Sequence, residues 1–336
     1  MERKKFGAGL VALVAGIALS AGGAFGAGGY VQGDPSDGKL VPVYEISSTQ
    51  ATIIGLENVV TNDSGVITTT LPFIFVHVVI FNTTSAEQFD VTLCLSPYDF
   101  GFIILQQAAA SAAQLASTGF GVKILVASVA GDFIPTVGYV TLAVVARASD
   151  CAGTGISTSS LDNSLAAWTI IQDVGTGFTG TEVPTTTANV NGATGVITCA
   201  GTTCPGLIPS GSTVVARYDI NPTVGSATSV YVWLNSNGAL ISGGSLFRSV
   251  SGFLNCEHEL QISTTISLPL EVNVINPATL SGIGQCVQAG QYRGVLRFDM
   301  PDTGFLWSHI TQAGANFRMN FIGYNLDSNA FIPAGG

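Results

Sequence analysis

The sequence predicts a mainly β protein: an antiparallel β-sandwich of immunoglobulin-like or jelly-roll-like type, built as two packed modules with one short helix. From position 39 onward, short runs rich in Val, Ile, Thr and aromatics are broken about every ten residues by Gly, Asn, Asp, Ser or Pro. Only 10% of residues are charged and 41 are glycine, against a usual charged fraction of about 25%. The wet surface must therefore be built from Ser, Thr, Asn, Gln and backbone. A chain of 336 residues that is 47% hydrophobic has room for one large core or two ordinary ones.

Taken in order, residues 1–27 read as a secretory signal peptide. Arg3, Lys4 and Lys5 precede an uncharged apolar run at 7–19, and small Ala and Gly residues follow. Cleavage is expected near 24–27, which makes the mature protein secreted, extracellular or cell-surface bound, with no membrane span left. An uncleaved anchor is the competing reading, but the second half of the stretch is Gly-rich and weakly hydrophobic. Processing takes three bases from 11 and one acid from 21, leaving 8 basic and 20 acidic residues and a formal net charge of −12. Nucleic acid is excluded as a partner, because no basic patch exists to displace phosphate counterions.

Residues 28–149 read as the N-terminal β module, with strands expected at 40–46, 52–60, 73–81, 90–95, 102–105, 122–129 and 139–146. The Ala-rich stretch 106–117 is the expected helix. Strand 73–81 places Phe73, Phe75, Val79 and Phe81 on one face and Ile74, Val76, Val78 and Ile80 on the other, so both faces need cover. The second half of the chain or the helix is the expected cover, and a neighbouring subunit is the alternative.

Residues 150–210, rich in Ser, Thr, Gly and Asn, read as a loop-rich connection or insertion interrupted by the apolar run 165–171. The C-terminal β module is expected over 211–336, with strands at 213–220, 229–234, 260–266, 270–275, 294–300 and 316–324 and a turn at 235–238. Its pleat is legible. Val214, Ala216, Tyr218 and Ile220 alternate with Val215, Arg217 and Asp219, and Leu296, Phe298 and Met300 repeat the pattern.

Six cysteines in an exported chain predict disulfides. Cys199 and Cys204 are close enough to shut a local loop, Cys256 and Cys286 can staple C-terminal strands, and Cys94 with Cys151 is then left by elimination. A zinc site would need a repeated close pair or added histidines, and only one close pair is present.

Motifs that carry chemistry do not occur: there is no G-x-S-x-G elbow, Walker loop or dinucleotide fingerprint. His77 reads as a satisfied core histidine. His258 and Glu259 begin a zinc-protease helix whose second histidine position is Ile262, and His309 belongs to no motif. Asp219, Glu257, Glu259, Glu271 and Asp299 read as wet-face strand residues. No enzyme activity, metal or organic cofactor is expected. Calcium at Asp34, Asp37 and Asp132 is a weak secondary candidate, since turn formation explains these residues first. The most site-like pair is Tyr231 and Trp233, on one side of a strand whose other side carries Val230, Val232 and Leu234. Such a pair could stack on sugars.

LVPVY at 40–44, TIIGLEN at 52–58, VHVVIFN at 76–82 and LCLSPYD at 93–99 resemble a group of uncharacterised exported bacterial β-sandwich proteins with a VPxY…LSPYD pattern. The resemblance implies export and a sandwich, and it carries no activity, ligand or catalytic residue. The functional expectation is a secreted structural protein, the subunit of a cell-surface layer, filament or extracellular matrix. It would self-associate into homo-oligomers through strand edges, with residues 28–46 as the donated strand. The alternative is a secreted carbohydrate-binding module that uses Tyr231 and Trp233 on glycans.

Overall fold

The computed structural model describes residues 35–47, 49–59, 73–107, 114–117, 122–127, 136–154, 163–173, 179–198, 204, 206–221, 223, 225–235, 248–254, 259–266, 268, 270–280, 292–312, 318–322 and 324–325. The expected signal peptide, Asp34, Asp132, Cys199, Cys256, Cys286, Glu257, His258 and most of the turn at 235–238 lie outside the described residues.

Among the described residues eleven strands come first: β1 (Gly38–Glu45), β2 (Gln50–Asn58), β3 (Phe73–Asn82), β4 (Glu87–Leu95), β5 (Phe100–Gln107), β6 (Gln114–Ser117), β7 (Val122–Ala127), β8 (Val137–Ala148), β9 (Leu165–Asp173), β10 (Thr179–Val183) and β11 (Thr186–Thr187). Nine follow: β12 (Thr213–Ile220), β13 (Ser226–Leu234), β14 (Arg248–Leu254), β15 (Glu259–Ile266), β16 (Val272–Ile275), β17 (Tyr292–Asp299), β18 (Gly304–Gln312), β19 (Arg318–Ile322) and β20 (Tyr324–Asn325). They form four sheets, ordered β11-β1-β8-β3-β4, β10-β9-β2-β5-β7-β6, β15-β14-β17-β12-β20 and β16-β13-β18-β19. The first two sheets face each other across a core that includes Val41, Ile54, Val76, Leu93, Ile103 and Leu142. The last two do the same across Val214, Ala216, Val230, Val232, Leu296 and Leu306. The mainly β, sandwich-like architecture is as expected, and among the described residues every ladder is antiparallel except β5 with β7.

Three expectations are corrected. The described parts of 106–117 are strand and not helix: Gln106 and Gln107 end β5, Gln114–Ser117 is β6, and the only helical element among the described residues is a 3₁₀ turn at Pro277–Thr279. At Gln114–Ser117 a strand ladder to β7 supplies the backbone partners. Nor is 150–210 merely a connection. Its apolar run is β9, which pairs along the whole of β2, and β10 and β11 extend both sheets of the first sandwich. The boundary of the first sandwich therefore falls after β11 rather than at 149. Strands β14 and β18 were also not anticipated.

β3 lies between β8 and β4. Ile74, Val76, Val78 and Ile80 enter the first core, while Val79 and Phe81 enter a separate cluster on the other side of the sheet. The segment after β11 supplies part of that outer cover. Gly195 adopts φ +68° and sits so close that a Cβ would lie 2.5 Å from Val79, a place only glycine tolerates. Thr141 Oγ1 donates to the Gly195 carbonyl at 2.7 Å and fixes the segment.

Cys94 on β4 is bonded to Cys151 just beyond β8, so the bridge spans β3 and ties an edge strand to the sheet's interior. Cys204 is also disulfide-bonded; its partner lies outside the described residues. The Cys94–Cys151 link closes a 57-residue separation, for which chain entropy gives a ceiling of about 4 kcal/mol. Replacing both residues with Ala should lower the urea-unfolding free energy by about 2–4 kcal/mol with the fold retained; an unchanged midpoint would show that the bridge constrains nothing the sheet does not already hold.

Candidate functional site

Tyr231 and Trp233 stand on β13, the strand flanked by β16 and β18. Register places Tyr231 between Val274 and Trp307, and Trp233 between Val272 and Phe305. One face of this sheet is thus aromatic while Val230, Val232 and Leu234 on the other fill the second core. The shared side was legible, but its use as a platform was not. Tyr231 is 4% and Trp233 1% exposed, so neither can stack on a sugar, and the glycan reading at these two residues is corrected.

The first sandwich covers them. Leu40, Val43, Val79, Phe81 and Tyr139 meet Tyr231, Trp233, Val272, Phe305 and Trp307 in one buried cluster. Tyr139 stacks on Phe81 with centroids 4.8 Å apart and meets Trp233 edge-on at 5.7 Å. Tyr231 lies 5.0 Å from Trp307, which in turn stacks on the buried His309 at 5.2 Å. Offset and edge-to-face rings add to area burial by about 0.5–1.5 kcal/mol per pair.

Two reciprocal hydrogen bonds cross this joint. The Tyr139 hydroxyl donates to Glu271 Oε2 at 3.1 Å, and the Tyr231 hydroxyl donates to Glu45 Oε1. Each sandwich therefore gives one tyrosine and one carboxylate to the other. Main chain reinforces the contact, since the Glu271 N–H donates to the Thr83 carbonyl at 2.9 Å. Glu45 reaches the joint because β1 is irregular between Val41 and Tyr44. The bulge changes the parity of the strand, so Val41 and Tyr44 enter the core while Leu40 and Val43 face the joint. Burial pushes the Tyr139 hydroxyl well above its ordinary range, and the Glu271 charge pushes it further; burial and then Glu45 do the same to Tyr231. Both remain protonated donors at any ordinary pH.

Glu271 is 5% exposed and not a wet-face residue; the sequence signal that could have found it is its place in an apolar run, directly before Val272. Asp219 and Asp299 do lie on the wetter sides of β12 and β17. His77 is part-buried on the outer side of β3, with Nδ1 2.9 Å from the Gly192 carbonyl oxygen and Nε2 3.2 Å from Asp90 Oδ2. Its ring is satisfied at the sheet surface instead of inside the core. Asp37 precedes β1, and its carbonyl accepts from the Val144 N–H at 2.7 Å. Among the described residues no group of three or more His, Cys, Asp or Glu is placed to hold a metal, and no helix is long and apolar enough to cross a membrane.

Buried tyrosines in the joint and in both cores fix a pH dependence. Tyr139, Tyr231 and Tyr44 titrate higher when folded than the unfolded value of about 10, and Tyr218 is pushed up to about 12 by burial. Protons are bound more tightly in the folded state, so this contribution is complete below pH 10 and is lost as pH rises above it. Thermal midpoints should be level to about pH 9 and fall steeply beyond 10; a flat profile to pH 12 would contradict the buried placement. Tyr139→Phe removes a donor from Glu271 and should cost about 1–3 kcal/mol in denaturant unfolding, whereas a change under 0.5 would mean that the bond contributes little. No protein-family model, curated protein or solved structure matches the chain, so the geometry alone bears on its function.

Proposed function

We propose that the chain is a secreted structural protein, a rigid two-sandwich subunit of a cell-surface layer, filament or extracellular matrix that self-associates through a strand edge. The observation that carries this reading is β16. It ends its sheet, pairs only with β13 among the described residues, and presents Val274 50% exposed beside the joint. At the start of that edge the Val272 N–H donates to the Thr83 carbonyl at 3.3 Å; the remainder, with the uncovered Val274 side chain, is a template for another strand. The Cys94–Cys151 bridge fits export to an oxidising compartment. The aromatic joint also supports the reading, because it spends the large side chains on holding two modules together.

The strand-donation mechanism takes a narrower form than the sequence suggested. Residues 38–45 of the proposed donor are β1, paired with β8 in their own chain, and Lys39 is fully buried. Only the part upstream of position 35 remains as donor, so removing residues up to 39 would damage the first sandwich itself.

Light-scattering mass of the mature chain over a concentration series tests the reading. Association that disappears in Val274→Lys, with the thermal midpoint unchanged, is the expected result. A strict monomer at all concentrations, or association that ignores both Val274→Lys and removal of residues 28–34, would overturn it.

A further inference from the structure

The outer face of the six-stranded sheet carries a second group of aromatic residues, on the opposite flank of the first sandwich from its joint-facing sheet. Gly55 on β2 is registered with Phe102 on β5 and Trp168 on β9, and Glu57 is registered with Phe100. All five therefore stand on one face, and Gly55 leaves a floor with no side chain. A Cβ at Gly55 would lie 2.1, 2.4 and 2.6 Å from Trp168 Cε2, Cζ2 and Nε1. Three such similar distances around the ring junction place the indole face, not its edge, over the backbone. The opposite indole face points away from the sheet, and Trp168 is only part-buried. Phe102 props it from the side, edge-on with centroids 5.6 Å apart.

Phe100 in this stripe is 40% exposed, and Tyr98, on the turn that leads into β5, is 48% exposed. Tyr98 holds φ +57°, a conformation that bulky residues rarely adopt. It is kept there by its own N–H donating to the Asn58 carbonyl at 3.0 Å and by Ser96 Oγ donating to Asp99 Oδ2 at 3.0 Å. Residues held in this region of backbone space cluster at functional sites.

We propose that Trp168, Phe102, Phe100 and Tyr98, with Glu57 between the rings, form a binding platform for a neutral glycan chain. Ring faces match the C–H faces of pyranoses, and the Glu57 carboxylate accepts their hydroxyls. Burial pushes the Glu57 carboxyl up from its ordinary range. A wholly apolar partner would strip its remaining water and supply no donor, whereas a polyhydroxylated one replaces that water bond for bond. A phosphate-rich ligand is opposed by the same carboxylate and by the chain's net charge of −10. The platform would attach the protein to a polysaccharide surface, independently of any contact through β16.

Isothermal titration with hexasaccharides of β-1,4-glucose, β-1,4-N-acetylglucosamine, β-1,3-glucose and α-1,4-glucose tests the platform. At least one should bind the mature chain. Phe100→Ala and Trp168→Ala should each weaken that binding about tenfold and Glu57→Gln by less, with β16-mediated association unchanged. Phe100 is already exposed, so if Trp168→Ala fails to fold, Phe100→Ala and Glu57→Gln decide the matter. No binding by any hexasaccharide, binding that survives Phe100→Ala, or a dimer that Phe100→Ala dissolves without any sugar bound would overturn the proposal, the last showing a second copy on this face.

Discussion

Two sheets of this protein are apolar on both faces, and each solves the other's problem. β3 sends Ile74, Val76, Val78 and Ile80 into one core and Val79 and Phe81 the opposite way; β13 sends Val230, Val232 and Leu234 into the other core and Tyr231 and Trp233 outward. A sandwich with such an outward face would leave it in water. Burying each large side chain contributes about 1.5–3 kcal/mol, and the joint buries five residues of the second sandwich together. That sum exceeds the two tyrosine–carboxylate bonds, at about 1–3 kcal/mol each. Apolar cover drives the association and the polar pairs set its register.

The register has a cause in the backbone. Had β1 kept strict alternation, its period of two would have put Val41, Val43 and Glu45 on one face. The irregularity between Val41 and Tyr44 separates Val41 from Val43, so Val41 and Tyr44 serve the core while Leu40 and Val43 serve the joint. The reciprocal arrangement, with a Tyr and a Glu from each side, leaves neither carboxylate of the joint without a donor from across it. Desolvating a carboxylate without one would cost more than the bond returns.

Much of this was legible in the residues and some was not, for identifiable reasons. Period two over 213–220 located β12 with its wet and dry faces, and the two-faced run at 73–81 announced that something must cover it. Elimination among six cysteines reached Cys94 with Cys151. β9 was obscured because Ser, Thr and Gly surround it, and composition cannot tell a strand set among turns from a loop. Gln114–Ser117 was misread because the Ala-rich composition around it suggested a helix, whereas these residues ladder with the next strand, β7. Tyr231 and Trp233 show the general limit: alternation states which residues share a side, never what lies opposite. Glu45, Tyr139 and Glu271 were missed for the same reason, since their partners are 186 and 132 residues away.

The joint decides whether the chain is one mechanical body or two linked ones, and a structural role needs the first. Equilibrium urea unfolding of the disulfide-intact chain, followed in parallel by far-ultraviolet dichroism and by tryptophan fluorescence, reports on both, because Trp233 and Trp307 lie in the joint itself. Coincident single transitions are the predicted result. Fluorescence that changes at lower urea than the dichroism, leaving a folded intermediate with the joint open, would contradict the account.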